Sequence, residues 1–421
     1  MQQTRLTLTT DVTVDDTGRF LEVPFHVADD ITEIRINITV VPKLSGSCII
    51  DVGLCDSLRV RGWSGSTKYE LVIGLDHATS GYVGGDILPG TWKVLLGVYV
   101  AGRAGATVRT EITLVEASRQ WLQGDLHVHT VHSDGAYTLL QLDEIARDKG
   151  LDFIALTDHN TVSQNWAYPR ETSVTYIPSM ELTTYHGHAN LFGVAVPCDD
   201  FRVQSSSDVS RLTSEARGRG AKISINHPFD DAGPSCQWRW GYDVSFDWLE
   251  VWNGPWRESN AQALSLWQSM LASGKRVIAV GGSDTHREHA YVRHGYPTCY
   301  VYSKSRRTGD ILEAIGAGLV SMSYRPNGPR LALQAEDALM GGETQGDSFT
   351  VSVTNAKALD ELVLITEVGE IKRHVVSTPG DLEIAGKHNA GQFLRAELWR
   401  YFTEVDKMLI AALSNPIFIK R

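Results

Sequence analysis

Between Gly124 and His286 the sequence repeatedly runs a short apolar stretch into a histidine or a carboxylate. The stretches are GDLHVHT (124–130), DFIALT (152–157) followed by Asp158, His159 and Asn160, VTYIPSME (174–181) ending on Glu181, KISIN (222–226) leading to His227, and VIAVGG (277–282) leading to Asp284 and His286. Strand-sized apolar runs with little polar interruption belong to parallel sheets covered on both faces. Helix-sized amphipathic runs stand between several of them. LLQLDEIARDKG (139–150) places Leu139, Leu142, Ile145 and Ala146 on one helical face, with Gly150 as its stop. Further helices are expected at 207–219, 259–273 and 308–317, and strands at 190–196, 246–252 and 299–303. Repeated strand then helix reads as an α/β barrel over 119–325, and in such barrels active sites form at the C-terminal strand ends.

The flanks have another character. Alternating runs such as EIRINITVV (33–41), SCIIDVGL (47–54) and TWKVLLGVYV (91–100), broken by turns and without helical periodicity, predict a β-sandwich over 1–118. After Pro326, SFTVSVTN (348–355), ELVLITEV (361–368) and FLRAELWRYF (393–402) predict a β-rich C-terminal segment over 326–421. It reads as too short and strand-poor for independence, so it is expected to pair with the N-terminal sheet or pack on the barrel. At 421 residues the chain exceeds the roughly 250–300 at which one core stops growing, which requires more than one packed unit.

A net charge of −11, from 39 Lys plus Arg against 50 Asp plus Glu, argues against a footprint for duplex DNA or anionic lipid. It is compatible with a small phosphorylated substrate. The five cysteines, Cys48, Cys55, Cys198, Cys236 and Cys299, are scattered and odd in number, which fits a reducing cytoplasm. The opening residues have no basic start or apolar core, and no stretch approaches a membrane span, so neither export signal nor anchor is expected.

His127 and His129 stand two apart on a strand and therefore face one side, where both imidazoles can reach one cation. Taken alone, the pair equally fits two partly exposed strand-end histidines. Asp134, in HSDG, equally fits a turn or helix cap, Asp158 could orient a neighbouring histidine as readily as touch a metal, and His227 could be a hydrogen-bonded structural histidine. His186 and His188, in YHGHANLFG, compete for one role that spacing does not assign. Taken together, however, accidental placement would have to put His, Asp or Glu at the same end of six predicted strands. Imidazole and carboxylate without thiolate is a ligand set for Mn, Fe or Zn in hydrolytic sites, and so many ligands imply more than one ion.

The motifs DLHVHT, HSDG, GLDFIALTDHN, SMELT followed by GHAN, INHP and GGSDTH resemble, as an ordered set over 119–325, the polymerase and histidinol phosphatase (PHP) metallophosphoesterases. LEVWNG (249–254), the β-rich N-terminal extension and the ALSNPIFI ending further resemble the carbaryl-hydrolase-like branch. The resemblance implies a distorted (β/α)7 barrel holding two or three divalent ions. It implies that His127, His129, Glu181 and Asp284 bind one ion, that Glu181 bridges to a second held by His188 and His227, and that Asp134, His159 and His286 complete a third site. His159 or His286 would act as general acid where not tied to a metal. The expected substrate is a small phosphate ester, with a nucleotide or short oligonucleotide among the candidates. A carboxyl- or carbamate-ester hydrolase at the same ions, and a binding protein with a relic barrel, are the competing readings. Arg257, Arg287 and Arg293 could grip a phosphate or be solvated, Trp252 and Asn253 could line the pocket, and Trp238, Trp240 and Trp256 could stack a base or pack a loop.

Overall fold

The computed structural model describes residues 3–44, 47–169, 172–336 and 338–420. The chain divides into two compact units, 1–119 and 120–421.

In the first unit, β1 (Gln3–Val12), β2 (Phe20–Val27), β3 (Ile31–Pro42), β4 (Ile49–Cys55), β5 (Val60–Gly65), β6 (Glu70–Gly74), β7 (Gly90–Val100) and β8 (Ala106–Glu116) form two four-stranded antiparallel sheets, ordered β1-β8-β3-β6 and β2-β7-β4-β5. The two-residue period explains the arrangement: Ile34, Ile36 and Ile38 of β3 are buried while Arg35, Asn37 and Thr39 between them are exposed. The buried faces of both sheets, with Phe25, Trp92 and Ile112 among them, share one apolar core.

The second unit is a mixed α/β structure, rich in strands, with four helices among the described residues. Its first seven strands are β9 (Gln120–Val128), β10 (Phe153–Leu156), β11 (Thr175–Thr184), β12 (Gly187–Phe192), β13 (Lys222–Ile225), β14 (Trp248–Asn253) and β15 (Ile278–Gly282). They pair in chain order: β9, β10 and β11 are parallel, β12 is antiparallel to both neighbours, and β13, β14 and β15 are parallel again. Just beyond β15 the chain returns to β9, where Asp284 N–H donates to the His127 carbonyl at 2.8 Å and Val128 bridges Thr285.

A helix after every strand, the pattern expected from the sequence, is absent. α1 (Leu139–Lys149), α2 (Ser206–Gly218) and α3 (Glu258–Ala272) each join two of these strands, whereas among the described residues β10 reaches β11 through one 3-10 turn at Ser163–Trp166, and β11 turns into β12 through Tyr185 and His186. An antiparallel neighbour needs only a hairpin, so no crossover helix is required there. α1 shows why local periodicity succeeds where a helix does form. Thr138 and Gln141 make a reciprocal capping box, Leu139, Leu142 and Ala146 are buried, and Gly150 closes the helix at φ 69.

β16 (Thr298–Ser303) pairs antiparallel with β9, β17 (Val320–Ser323) pairs with β16, and α4 (Thr308–Gly316) joins them. The C-terminal segment is not strand-poor. Ten strands are described after residue 329, and Leu331, Leu333, Phe349, Val351, Leu394 and Leu398 belong to a core of its own. Its strand Lys407–Ser414 pairs antiparallel with β17 and so extends the sheet that contains β9. The sequence understates this segment because some of its strands carry polar outer faces. In Gly380–Lys387, Glu383 stands between the half-buried Leu382 and Ile384, and Gly380, Asp381, Gly386 and Lys387 lie on either side of them, which thins the apolar run without weakening the alternation.

Candidate metal centre

The polar strand ends converge. His127 and His129 leave the end of β9 on one side, both fully buried. β15 can pass beside them only because residue 282 is glycine: a Cβ there would lie 2.3 Å from that of His127. Three residues at neighbouring strand ends, Asn160, His227 and Asp284, have φ of 48, 26 and 50, a left-handed backbone that non-glycine residues adopt rarely. Held in this way, the chain turns sharply as it leaves each strand, and His227 and Asp284 come within 3.5 Å of Glu181 and 3.0 Å of His129 respectively. Such strain concentrates at functional sites.

At the centre lies Glu181, fully buried on β11. Its Oε1 is 3.2 Å from His127 Nε2, 3.4 Å from His188 Nδ1 and 3.5 Å from His227 Nε2. Its Oε2 is 2.7 Å from His159 Nδ1 and 3.8 Å from His129 Nε2. Five imidazoles thus surround one carboxylate. Asp284 adds a second: its Oδ1 is 3.0 Å from His129 Nε2 and 3.4 Å from His127 Nε2. Towards solvent, Asp134 Oδ1 is 3.2 Å from His286 Nε2 and 3.6 Å from His159 Nε2, and those two nitrogens are 3.3 Å apart.

The electrostatics follow from burial among opposite charges. Burial opposes charge on Glu181, but the imidazoles of His188 and His127 outweigh it and hold the carboxyl well below its usual range. Asp284 is held down in the same way by His127 and His129. Burial would depress His127, yet Asp284, Glu250 and Glu181 push it well above the ordinary histidine value, and His227 is pushed up to about 9 against its burial by Glu181 and Asp284. His129 goes the other way, lowered chiefly by burial.

Hydrogen bonding does not complete this cluster. His127 Nε2, His129 Nδ1, both ring nitrogens of His188 and His227 Nδ1 are buried without a hydrogen-bond partner. A buried polar group left in this state costs roughly 1–3 kcal/mol. Nitrogen and oxygen donors packed this closely, without a thiol among them, suit divalent Mn, Fe or Zn. Four groups have ligand atoms mutually within 4.8 Å: His129, Asp134, His159 and His286; His127, His129 and Glu181; His127, His227 and Glu250; and His159, Glu181 and His188. The residues present therefore fit metal ions. Glu181 belongs to two groups, which lets one carboxylate serve two ions.

All nine ligand candidates from the sequence lie in this cluster, but the grouping differs from the expected one: His129 also stands with Asp134, His159 and His286, and Asp284 belongs to none of the four groups although its Oδ1 is 3.0 Å from His129 Nε2. His188 stands with His159 and Glu181, and His227 with His127 and Glu250. His186 lies outside: it is exposed in the β11–β12 turn, its ring edge-on to Trp240 at 5.0 Å. Asp158 neither touches the metal groups nor orients a histidine. It accepts from Thr130 N–H at 2.8 Å and from Ser133 Oγ at 2.8 Å, tying down the loop after β9. Asn160 exchanges two hydrogen bonds with the Thr183 backbone. Asn253 donates to Asp284 Oδ2 at 3.2 Å, while Arg257, itself exposed, is bound to Asp230 at 2.9 Å and to Asn253 at 3.1 Å. Arg287 and Arg293 are exposed. Trp252 and Trp238 are buried in the core, and Trp240 donates to Thr184 Oγ1 at 2.9 Å.

Three contributors are not evident from the sequence. Glu250, 3% exposed on β14, accepts from His127 Nδ1 at 2.9 Å, from the His227 N–H at 2.9 Å and from Asn253 Nδ2 at 3.1 Å. Asp125 accepts backbone N–H bonds from Ser283 at 2.9 Å and Gly295 at 2.6 Å. Asn226 donates to Glu181 Oε1 at 2.8 Å. The signal that could have found them is a charged or amide side chain inside an apolar run, as in FDWLEVW, since a buried carboxylate is rare unless paired.

No protein-family model matches the chain. Over 60 residues, 14% of the chain, it is 35% identical to the DNA polymerase/3'-5' exonuclease PolX of Bacillus subtilis (strain 168), and it spans about a tenth of that protein's length, 10%. Among solved structures, it resembles a two-domain protein from Bacteroides vulgatus containing a predicted PHP-like metal-dependent phosphoesterase. The identity is 18%, over 72% of this chain and 95% of that one, with a TM-score of 0.43. It also resembles an amidohydrolase from Chromobacterium violaceum, at 16% identity over 40% of this chain and 89% of that one, with a TM-score of 0.26.

Proposed function

We infer that the chain is a metal-dependent phosphoesterase of the PHP type, with residues 119–325 built on a distorted (β/α)7 barrel plan. The observation that carries this reading is the Glu181 carboxylate ringed by five imidazoles, with buried ring nitrogens that nothing in the protein satisfies. His127, His129, Asp134, His159, Glu181, His188, His227, Asp284 and His286 would hold two or three ions, with Glu250 beside them. When bound, divalent ions supply Lewis acidity for a phosphoryl oxygen and lower the pKa of a water enough for attack at neutral pH.

The chain's own residues set the rest. Glu250, bonded to His127 Nδ1, fixes that ring so that Nε2 faces Glu181. The His286 Nδ1 is taken up by the Asp284 carbonyl at 3.1 Å and the His159 Nδ1 by Glu181 and Thr183, which leaves Nε2 of each ring as the atom that can hold or give up a proton. With Asp134 beside both, these two nitrogens form the exposed edge of the cluster, where a departing oxygen can be protonated if either ring is free of metal. The substrate would be a small phosphomonoester, nucleotide or short phosphodiester. The five unpaired cysteines support a cytoplasmic setting, and no helix among the described residues is long and apolar enough to cross a membrane.

The test is elemental analysis of protein purified without chelator, joined to a panel of phosphate esters and of aryl carboxyl and carbamate esters with added manganese. At least two ions per chain and turnover of phosphate esters are expected. Turnover of carboxyl or carbamate esters alone would place the protein in the carbaryl-hydrolase-like branch and overturn phosphoester chemistry.

A further inference from the structure

A cavity of about 350 Å3 in the second unit is walled in part by loops that leave the same strands as members of the histidine cluster, and its size falls within the roughly 300–1,000 Å3 typical of small-molecule sites. Trp256 comes to it from the loop after β14, Tyr291 and Arg293 from the loop after β15, Tyr324 and Arg325 from the segment after β17, and Phe402 from the C-terminal sheet. The first two loops leave the strand ends that also present Asn253 and Asp284. Gly254, which lines the cavity, directly follows Asn253, whose amide touches Asp284 at 3.2 Å. Ala290, also in its wall, is four residues from His286, and four residues span at most about 14 Å.

Two chemical features define what would fit. Six aromatic residues line the cavity, Trp252 and Tyr296 besides the four already named, and their rings offer faces and edges to a planar group; Trp256 is itself braced edge-on against Trp252 at 4.9 Å. Neither Arg293 nor Arg325 pairs with a carboxylate among the described residues; the Arg325 guanidinium lies over the Tyr324 ring at 5.2 Å. One unpaired guanidinium over a ring, with a second in the same wall, favours an anion attached to a flat ring. Glu404 lines the same cavity and opposes them, so two cations face one anion there.

We propose that this cavity is a binding site for a planar aromatic group carrying an anionic substituent, and that it receives the aromatic portion of the substrate beside the metal centre. Its ring lies among Trp256, Tyr291, Tyr324 and Phe402, and its charge is met by Arg293 and Arg325. The placement next to the reacting centre rests on the phosphoesterase reading; the binding itself does not.

Calorimetry of the full chain as purified, with phenylphosphonate and methylphosphonate as probes, separates the two. Both carry the same headgroup and neither is hydrolysed, so any preference between them reports the ring site. Phenylphosphonate should bind at least tenfold tighter. Arg293→Gln with Arg325→Gln should weaken phenylphosphonate at least tenfold, the exposed Tyr291→Ala severalfold, and Glu404→Gln should tighten it. No preference for the phenyl probe, or a preference that survives all of these substitutions, would overturn the proposal. Failure of the phosphoesterase reading would show separately, as absent phosphate-ester turnover with the phenyl preference intact.

Discussion

Replacing Glu250 by glutamine changes one atom in a fully packed site and tests how the metal groups are organised. In the native protein the two carboxylate oxygens have different work: Oε1 accepts from His127 Nδ1, while Oε2 accepts from the His227 N–H and from Asn253 Nδ2. Glutamine has one oxygen and one NH2. Its oxygen must stay with the two fixed donors, because a buried backbone N–H left unpaired costs roughly 1–3 kcal/mol. The NH2 then faces His127 Nδ1 and can only donate to it, which shifts the imidazole proton to Nε2, the nitrogen that faces Glu181 and Asp284. His127 is thereby disqualified as a ligand unless it gives up a hydrogen bond. Loss of such an outer partner typically lowers metal affinity about 10–100-fold, or roughly 1.4–2.7 kcal/mol at 1.36 kcal/mol per tenfold. Competition with a chromophoric chelator measures that affinity directly, and circular dichroism reports whether the fold survives. A folded Glu250→Gln protein with wild-type affinity at every ion would refute the tautomer reasoning.

Glu181→Ala should release at least one ion per chain and abolish turnover together, and wild-type metal content would reject the shared-carboxylate geometry. His188→Ala should lower metal content while His186→Ala leaves it unchanged, read by the same elemental analysis. Because His227 is raised to about 9, its charged form stabilises the metal-free protein fully below its ordinary value near 6.5, and that contribution is lost as pH rises through 9. Metal uptake near pH 7.5 should therefore release protons, seen as binding heats that depend on the ionisation enthalpy of the buffer; buffer-independent heats would contradict it. In the C-terminal segment, Arg400 and Asp360 form a buried pair at 2.6 Å, so Asp360→Ala should destabilise the protein by about 3–5 kcal/mol in chemical denaturation. An unchanged midpoint would show that the pair contributes nothing.

Spacing along a strand is a local property, and it was legible. Histidines two apart on β9 must face one way, and the helical face of Leu139, Leu142 and Ala146 follows from a 3.6-residue period. The order of apolar runs ending in ligand residues likewise announced a site at one end of a sheet. Which strands carry helices between them was less visible, because a hairpin such as β11–β12 and a crossover leave similar apolar runs in the sequence.

What the chain alone could not decide was partnership across strands. His186 and His188 are equivalent on paper. The hairpin register decides between them: Thr184 pairs with Gly187, so His186 falls in the turn and His188 enters the pleat on the buried face with Asn190. Glu250 is an ordinary acid in an apolar run until β14 is laid two strands from β9's closing contact and its carboxylate meets His127, 123 residues earlier in the chain. Local periodicity fixes the direction of a side chain. Long-range pairing fixes what lies in that direction, and a metal centre is made of both.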